Sequence, residues 1–237
     1  SDMFKNGYAH MGVAHFGADT QKALLLEQAD SALTSASTIP NGWQLASNIT
    51  VQQSHQSWRE QLKRIINEQA IDILLQPVKN FDNDVLVSEC LARFIDSTGK
   101  NYLPMAQLIP ESEKLLVSGE LDKAILRKID SLLSKSPKSK EHKSISINIS
   151  TASLSSMDNV GELIDILKRV REKSKNVIVE IHEHSLHRCF KNCVFFANKL
   201  REIDCKITIE RFGSSISAFA HIRQIRPDYI KLDGSFT

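Results

Sequence analysis

The segment 207–213 brings two large side chains of opposite charge, Glu210 and Arg211, to the end of a β-branched run. β-branched residues favour strands, so the pair is expected at the mouth of a strand. Two adjacent carboxylates at such a point would favour a divalent metal site, whereas a guanidinium keeps its positive charge and repels a cation. Arg211 therefore decides whether metal-assisted bond cleavage or binding of an anionic ligand is expected here.

Polar residues interrupt several other apolar strands near their predicted ends. In parallel β/α architectures the reactive side chains gather at the carboxyl ends of strands. Burying a polar group is costly unless it meets a partner, so such groups on successive strands are expected to converge. The set contains Glu89 with Arg93, Asn148, Glu180, Glu210 with Arg211, and Lys231.

The chemistry of this set points in two directions. Its carboxylates and its amide suit a hard cation with oxygen ligands, whereas its lysine and its two arginines suit phosphate. For any one of these residues, a satisfied polar group in a barrel layer is as plausible as a functional role. For the set as a whole, function is favoured.

The strands and helices that carry these residues can be predicted from the hydrophobic periodicity of the sequence. Strands separated by helix-length segments predict parallel β/α units with right-handed crossovers, and two earlier strands lie so close together that they predict an antiparallel hairpin. Six strands do not close an eight-stranded barrel, so the sheet is expected to be open or cut short. The predicted strands are 11–16, 71–78, 85–95, 144–149, 176–181, 205–210 and 228–232, and the predicted helices are 20–37, 58–67, 105–109, 118–133, 159–173, 190–203 and 215–224.

The bulk composition describes an ordinary folded chain. Of 237 residues, 41% are hydrophobic and 24% are charged, and the net charge of +2 gives no reason to expect DNA or RNA as a partner. The four cysteines lack the spacing of a disulfide framework, which favours a reducing cytosol. Cys189 and Cys193 lie one helical turn apart and predict a packed helix face rather than a metal clip.

Five ordered motifs and a preceding glutamine-proline element make the chain similar to the EAL domain family, whose members bind or hydrolyse the bacterial second messenger cyclic di-GMP. The segment 75–78 resembles the family's glutamine-proline element. The segment 88–94 resembles the EAL signature, with Cys90 in place of alanine. The motifs NxS, ExxE, DDFG and KIDxSF resemble, in order, the segments 148–150, 180–183, 210–213 and 231–236.

The resemblance implies an α/β fold, a (β/α) TIM-like barrel that stops before its last two β/α units. Residues 71–237 would form this EAL domain, and residues 51–70 would form a connector and a leading helix. Residues 1–50 resemble the closing strand and helix of a GGDEF domain, which often precedes an EAL domain. The chain is therefore expected to be a fragment of a longer protein.

In active family members the two aspartates of DDFG help to hold two divalent ions that activate a water against the phosphodiester. Glu210 and Arg211 stand at these positions, and the segment 214–216 departs from the Thr-Gly-Tyr that usually follows. The resemblance thus implies a degenerate domain that is not an enzyme and requires no cofactor. Lys231 and Glu89 would be vestiges of catalysis, and the vestigial metal ligands would be Glu89, Asn148, Glu180 and Glu210.

The ligand implied by the family is cyclic di-GMP, bound without turnover. Gln76 would contact it, Arg93 would grip a phosphate, and Lys231 would keep an electrostatic role. The binding residues implied by the motifs are Gln76, Glu89, Leu91, Arg93, Asn148, Glu180, Glu210, Arg211, Lys231 and Asp233.

Several of these features also resemble the LapD-type receptors, which are membrane-anchored proteins with degenerate GGDEF and EAL domains. This resemblance implies a role in biofilm and adhesion signalling, a homodimer through the EAL domain, and upstream HAMP and membrane segments. The chain itself would lie on the cytoplasmic side of the inner membrane. Two alternatives stay open, a residual phosphodiesterase that uses Mg or Mn and a scaffold that binds only protein.

Overall fold

The computed structural model describes residues 10–17, 22–36, 42–46, 55–135, 144–213 and 218–236. The chain divides into two compact units, Ser1–Ser54 and His55–Thr237. The predicted departure at 214–216 and the first residues of the helices predicted from 20 and 215 lie outside the described residues. None of the described helices combines the length and the apolar character needed to cross a membrane.

The described residues of the first unit form two short parallel strands and one helix, namely β1 (Met11–Val13), α1 (Lys22–Ala36) and β2 (Trp43–Leu45). β1 ends three residues earlier than predicted, and β2 was not predicted because three exposed residues give no periodic signal. Gly12 allows the close approach of β1 to the helix, since a Cβ atom there would lie 2.1 Å from the carbonyl oxygen of Ala29.

The second unit is built on one sheet of six strands that follow their order in the chain. The first two form the predicted antiparallel hairpin, and every later strand pairs in parallel with the one before it. The strands are β3 (Ile71–Lys79), β4 (Val85–Phe94), β5 (Ile145–Ile149), β6 (Val177–His182), β7 (Lys206–Phe212) and β8 (Tyr229–Leu232).

Helices connect the parallel strands, as the spacing predicts, and two short helices were missed. Those two are the four-residue α5 and the six-residue α7, each of which begins directly after a strand. The helices are α2 (His55–Glu68), α3 (Met105–Lys114), α4 (Ser118–Lys135), α5 (Thr151–Leu154), α6 (Met157–Lys173), α7 (Glu183–Arg188), α8 (Phe190–Glu202) and α9 (Ala218–Ile225), followed by a 3-10 turn at Gly234–Phe236.

The strands place their apolar and polar residues on opposite faces of the sheet. Side chains alternate along a strand, so Ile147 and Val179 point to one face while Asn148 and Glu180 point to the other. The first face forms the main core with residues of α6 and α8, such as Leu163 and Phe196. The opposite face is left to the polar residues at the strand ends.

Asp122 on α4 fixes the carboxyl end of β5. Its Oδ2 accepts a hydrogen bond from the backbone N–H of Ser150 at 2.8 Å and another from Ser153 Oγ at 2.7 Å. Burial outweighs these bonds and raises the pKa of Asp122 above its ordinary value. The contacts anchor the turn two residues after Asn148, so the position of that amide is set from outside the sheet.

Candidate functional site

Glu89 lies in the middle of β4 and has both of its carboxylate oxygens in hydrogen bonds. Asn148 Nδ2 on β5 donates to Oε1 at 2.9 Å, and Lys231 Nζ on β8 donates to Oε2 at 3.0 Å. Burial alone would raise the pKa of Glu89, but the bonds from Asn148 and Lys231 outweigh it and hold the pKa below its ordinary value. Glu89 is therefore an ionised carboxylate at neutral pH.

Glu180 on β6 is the buried member of the group, with a side chain that is only 2% exposed. Its Oε2 accepts a hydrogen bond from Lys231 Nζ at 2.5 Å. An isolated carboxylate at such a position would cost several kcal/mol, so the ammonium group is needed to stabilise it. We call Glu89, Asn148, Glu180 and Lys231 the lysine cluster.

The contacts within the lysine cluster show that the sheet is curved. Three strands separate β4 from β8, which in a flat sheet would place them roughly 19 Å apart at about 4.8 Å per strand. The side chains of Glu89 and Lys231 cannot span that distance, yet they are in hydrogen-bond contact. The sheet therefore curls strongly toward this face, as strands do in a barrel, and makes it concave.

Lys231 is protonated in this setting. Burial would lower its pKa, but the hydrogen bonds to Glu180 and Glu89 outweigh burial and raise the pKa above its ordinary value. Its side chain is 37% exposed, so the ammonium group remains accessible from the concave face. Lys231 thus supplies a fixed positive charge and a proton donor beside two carboxylates.

Glu210 and Arg211 together form a bulge in β7. Ile209 pairs with Ile230 and Phe212 pairs with Leu232, so two residues of β7 lie opposite the single residue Lys231. Arg211 has φ +50°, a left-handed conformation that is uncommon for a residue with a side chain. The bulge leaves Arg211 exposed and Glu210 half-buried.

Glu210 lies close enough to the lysine cluster for the charges of the cluster to shift its pKa. Burial raises its pKa above the ordinary value, and repulsion from Glu180 adds to the shift. The charge of Lys231 acts in the opposite direction but does not cancel these effects. Glu210 is thus a carboxylate whose ionisation the folded protein disfavours.

Two contacts hold the turn that follows the bulge. The backbone N–H of Gly213 donates to Glu183 Oε2 at 2.6 Å, and Glu183 is completely buried at the start of α7. Gly213 has φ +96°, and a Cβ atom there would lie 2.7 Å from Cε2 of Phe236. Sequence reasoning did not include Glu183 among the site residues, although the ExxE motif contained it.

Asp233 closes the other side of this turn. Its N–H donates to the carbonyl oxygen of Phe212 at 3.1 Å, and its Oδ1 accepts a hydrogen bond from the N–H of Ser235 at 3.0 Å. The bond from Ser235 lowers the pKa of Asp233, and the charge of Arg211 acts in the same direction. Asp233 is thus an ionised group at the rim of the concave face.

Gln76, Leu91 and Arg93 lie on the hairpin beside the lysine cluster. Gln76 is exposed and faces Glu89 across the antiparallel pair. Arg93 Nη1 donates to the carbonyl oxygen of Ala92 at 2.9 Å, and Leu91 is half-buried. The structure thus places Gln76 opposite Glu89, and it places Leu91 and Arg93 two and four residues further along β4. The hydrogen-bonded group consists of Glu89 with Asn148, Glu180 and Lys231.

The donor chemistry of the site fits a divalent cation, although its arrangement holds an ammonium group. Oxygen atoms of Glu89, Asn148, Glu180 and Glu210 are the ligands that Mg²⁺ and Mn²⁺ prefer. Within the described residues, no group of three or more His, Cys, Asp or Glu side chains is spaced to hold a metal ion. Lys231 Nζ contacts the carboxylates of Glu89 and Glu180, which are two of these four residues.

The histidines near β6 have internal partners. His182 Nδ1 accepts a hydrogen bond from the N–H of His184 at 2.9 Å, and His184 Nε2 accepts one from Arg188 Nε at 3.2 Å. Burial lowers the pKa of His182, and the charge of Arg211 adds to the effect. These contacts cap and brace α7 and give no indication of a zinc site.

The EAL domain model matches residues 23–237 of this chain. The chain is 25% identical over 190 residues to cyclic di-GMP phosphodiesterase PdeB of Shewanella oneidensis, a match that covers 79% of the chain and 22% of that protein. It is 30% identical over 182 residues to probable cyclic di-GMP phosphodiesterase PdeG of Escherichia coli, covering 75% of the chain and 35% of that protein. The chain thus spans about a fifth to a third of the length of these relatives.

Solved structures confirm the fold. A Vibrio cholerae LapD structure with S helix, GGDEF and EAL parts, bound to cyclic di-GMP, has a TM-score of 0.79 at 20% identity and covers 95% of this chain and 55% of that one. The FimX EAL domain of Pseudomonas aeruginosa, also bound to cyclic di-GMP, has a TM-score of 0.64 at 24% identity and covers 76% of this chain and 72% of that one.

These comparisons correct the expectation that the chain is not an enzyme. That expectation rested on Glu210, Arg211 and the departure at 214–216, but several curated relatives that match the chain are named cyclic di-GMP phosphodiesterases or probable ones. The structure gives a physical reason for the correction, because Arg211 is exposed on a bulge whereas the lysine cluster is assembled without it. A change at this one position therefore leaves the other polar groups of the concave face in place.

Proposed function

Because this chain belongs to the EAL domain family, we propose that it binds cyclic di-GMP on its concave face and hydrolyses one phosphodiester bond. The observation that carries the proposal is the lysine cluster, in which one protonated lysine on β8 bridges the carboxylates of Glu89 on β4 and Glu180 on β6. An oxygen-lined concave face beside a fixed positive charge suits a phosphodiester, since this face offers metal ligands and a partner for phosphate.

Each residue of the cluster has a role that follows from its contacts. Glu89, Asn148, Glu180 and Glu210 would hold one Mg²⁺ or Mn²⁺ ion, which when bound supplies charge neutralisation and a more acidic water. Lys231 stabilises negative charge on a phosphate oxygen, because it is protonated and reachable from the concave face. Asn148 keeps Glu89 in the orientation that presents its second oxygen to Lys231.

Arg211 makes this a slow enzyme in our proposal. The family resemblance places it where active members carry a second aspartate, so one of two metal positions would be lost. A guanidinium is a good bidentate partner for a phosphate, and Arg211 is exposed on the bulge of β7 beside Glu210. The substitution therefore strengthens binding of the anionic substrate while it weakens turnover.

Slow turnover would let the bound state itself carry a signal. A substrate that stays bound for a long time can report the cyclic di-GMP level to other parts of a longer protein. On this proposal residues 1–50 belong to a preceding GGDEF domain, and residues 51–70 lead into the EAL domain. The expected membrane anchor and homodimer remain predictions that the described residues do not test.

The test uses the full-length protein that contains this chain, incubated with cyclic di-GMP in the presence of Mn²⁺, Mg²⁺ or a chelator. Chromatography should detect linear dinucleotide with either metal, no product with the chelator, and at least about tenfold less product from a Glu89→Gln variant. A matched Glu113→Gln variant on the exposed part of α3 should behave as wild type. Calorimetry of the same protein measures binding of cyclic di-GMP. Binding heat without product in any metal would reject hydrolysis, and an absence of binding heat would reject the whole proposal.

A further inference from the structure

Cys189 and Cys193 form a close pair of thiols at the start of α8. Their Sγ atoms lie 3.8 Å apart, and neither is in a disulfide. Both thiols donate to the same acceptor, the carbonyl oxygen of Ser185, at 3.3 and 3.4 Å respectively. The shared acceptor holds the two sulfur atoms side by side on one helix face.

The backbone places these residues within disulfide range. The N–H of Cys193 donates to the carbonyl oxygen of Cys189 at 3.0 Å, which is the i to i+4 contact of an α-helix. Four residues of helix advance about 6 Å, and disulfides join Cα atoms about 4.4–6.8 Å apart. A disulfide needs a sulfur separation of about 2.05 Å and Cβ atoms about 3.5–4.5 Å apart, which is closer than is usual for residues i and i+4 of a helix. Cys189 lies at the non-helical N-cap of α8, with φ −142° and ψ 49°, so its backbone can move toward Cys193 as the side chains rotate.

The two thiols have different environments. Cys189 is half-buried at the N-cap of α8, and the adjacent Cys193 thiol, aided by Ser155 and the charge of Arg188, lowers the pKa of Cys189 to about 7. Cys193 is fully buried, and the adjacent Cys189 sulfur together with burial raises its pKa. Cys189 is thus the nucleophile that solvent can reach, and Cys193 is the thiol behind it.

The other two cysteines provide an internal contrast. Cys90 and Cys205 are buried, and burial raises the pKa of each to about 12. Thiols of this kind react slowly with oxidants, because the thiolate is the reactive form. Any selective oxidation of this chain is therefore expected at the pair rather than at these positions.

We propose that Cys189 and Cys193 are a reversible oxidation site for hydroperoxides. The Cys189 sulfur attacks the peroxide, so that an S–O bond forms, the O–O bond breaks, and the remaining oxygen leaves as water or an alcohol. The Cys193 sulfur then displaces the sulfenic oxygen, which leaves as water with the thiol proton, and an S–S bond forms. Two thiols are oxidised and one peroxide is reduced, and a dithiol reverses the change.

Oxidation would change the contacts of α7. Both thiols lose the hydrogen that they donate to Ser185, two residues after the Glu183 that holds the turn at Gly213. The site is thus attached to the segment that supports the bulge of β7. The inference stands independently of the proposed phosphodiesterase activity.

The test uses the sequence between the two cysteines. Trypsin cleaves after Arg188, Lys191 and Lys199, so peptides 189–191 and 192–199 separate unless a disulfide joins them. Reduced full-length protein treated with a small excess of hydrogen peroxide should yield these two peptides linked, with the mass of two hydrogens lost. Dithiothreitol should release them, and a Cys205→Ser control should behave as wild type.

The single variants distinguish the roles of the two thiols. Cys193→Ser should leave Cys189 as a sulfenic acid that reacts with dimedone, and Cys189→Ser should yield neither the linked peptide nor the dimedone adduct at Cys193. Circular dichroism checks that both variants fold, and the wild-type digest decides the matter if either does not. The proposal is overturned if peroxide leaves both thiols free to alkylate, or takes Cys189 to sulfinic acid without the linked peptide.

Discussion

Lys231 Nζ lies 3.0 Å from Glu89 Oε2, although three strands separate the two strands that carry them. This contact exists only because the sheet curls, so it links the barrel-like shape of the fold directly to the chemistry of the site. The same ammonium group also compensates the buried charge of Glu180. A substitution of Lys231 should therefore change both the stability and the function of the protein.

Lys231→Met should lower the free energy of unfolding by about 2 kcal/mol. Removing one partner of a buried ion pair typically costs 3–5 kcal/mol, and the 37% exposure of the lysine side chain reduces that figure. Urea unfolding at neutral pH measures the change. Lys199→Met, which removes an exposed helical ion pair with Glu202, should cost less than about 0.5 kcal/mol.

The double variant Lys231→Met, Glu180→Gln shows how much of the lost stability comes from the ion pair rather than from packing. If Lys231 acts by compensating Glu180, then Glu180→Gln should recover part of the stability that Lys231→Met loses. Strict additivity of the two changes would show that the ion pair contributes little.

Glu210→Gln should stabilise the protein at neutral pH. The pKa of Glu210 is raised above its ordinary value of 4.5, so ionisation costs stability as pH rises through the folded pKa. The glutamine variant avoids this cost at pH 7, and its advantage should vanish below about pH 4.5, where the wild-type carboxyl is protonated in both states. Melting temperatures of the wild type and of the variant between pH 4 and 8 measure this difference in stability.

Glu89→Gln should change the stability in the opposite direction in the same measurements across pH. The pKa of Glu89 is lowered below 4.5, so its ionised form contributes stability above that value and loses it as pH falls through the folded pKa. The variant should be less stable than wild type at pH 7 and approach it in acid. Stability differences of the same sign for the two variants would contradict at least one of the two pKa directions.

Gly213→Ala should destabilise the turn after β7 by about 2 kcal/mol. The residue has φ +96°, and the new methyl group would lie 2.7 Å from the ring of Phe236. Gly161→Ala is the matched control, since a Cβ there meets nothing within 4 Å inside α6 and should stabilise by about 0.5–1 kcal/mol. Equal effects of the two changes on chemical unfolding would argue against the described turn.

Arg211→Asp should increase metal-dependent turnover of cyclic di-GMP by about tenfold or more, which corresponds to about 1.4 kcal/mol in the barrier. The change restores the aspartate that the family motif carries and removes a charge that repels a metal. Arg226→Asp is the control, because Arg226 is also exposed and has the same φ of +50°. Unchanged turnover in Arg211→Asp, or an equal gain in the control, would remove Arg211 as the cause of slow hydrolysis.

Much of the fold could be predicted from the sequence, because its strands and helices alternate with clear periods. The hairpin and the four later strands lie within about two residues of their predicted bounds. α7 was missed because the residues from His182 to His187 continue the polar end of a strand without an apolar period. β2 was missed because it is too short to show a period.

The candidate site was predicted as a set of residues but not as a set of contacts. Asn148, Glu180 and Lys231 stood out because polar groups in apolar strands need partners. That Lys231 reaches both Glu89 and Glu180 depends on sheet curvature, which a one-dimensional pattern does not contain. The bulge at Arg211 also escaped prediction, since a Glu-Arg pair gives no sign of left-handed backbone.

Single-turnover hydrolysis tests the central claim most directly. The full-length protein, in excess over radiolabelled cyclic di-GMP and with Mn²⁺ present, should convert the bound nucleotide to linear dinucleotide, and Glu89→Gln should do so at least about tenfold more slowly. The excess of protein makes even slow chemistry visible, because every substrate molecule is bound. Cyclic di-GMP that stays intact while bound, at every metal concentration, would contradict the account.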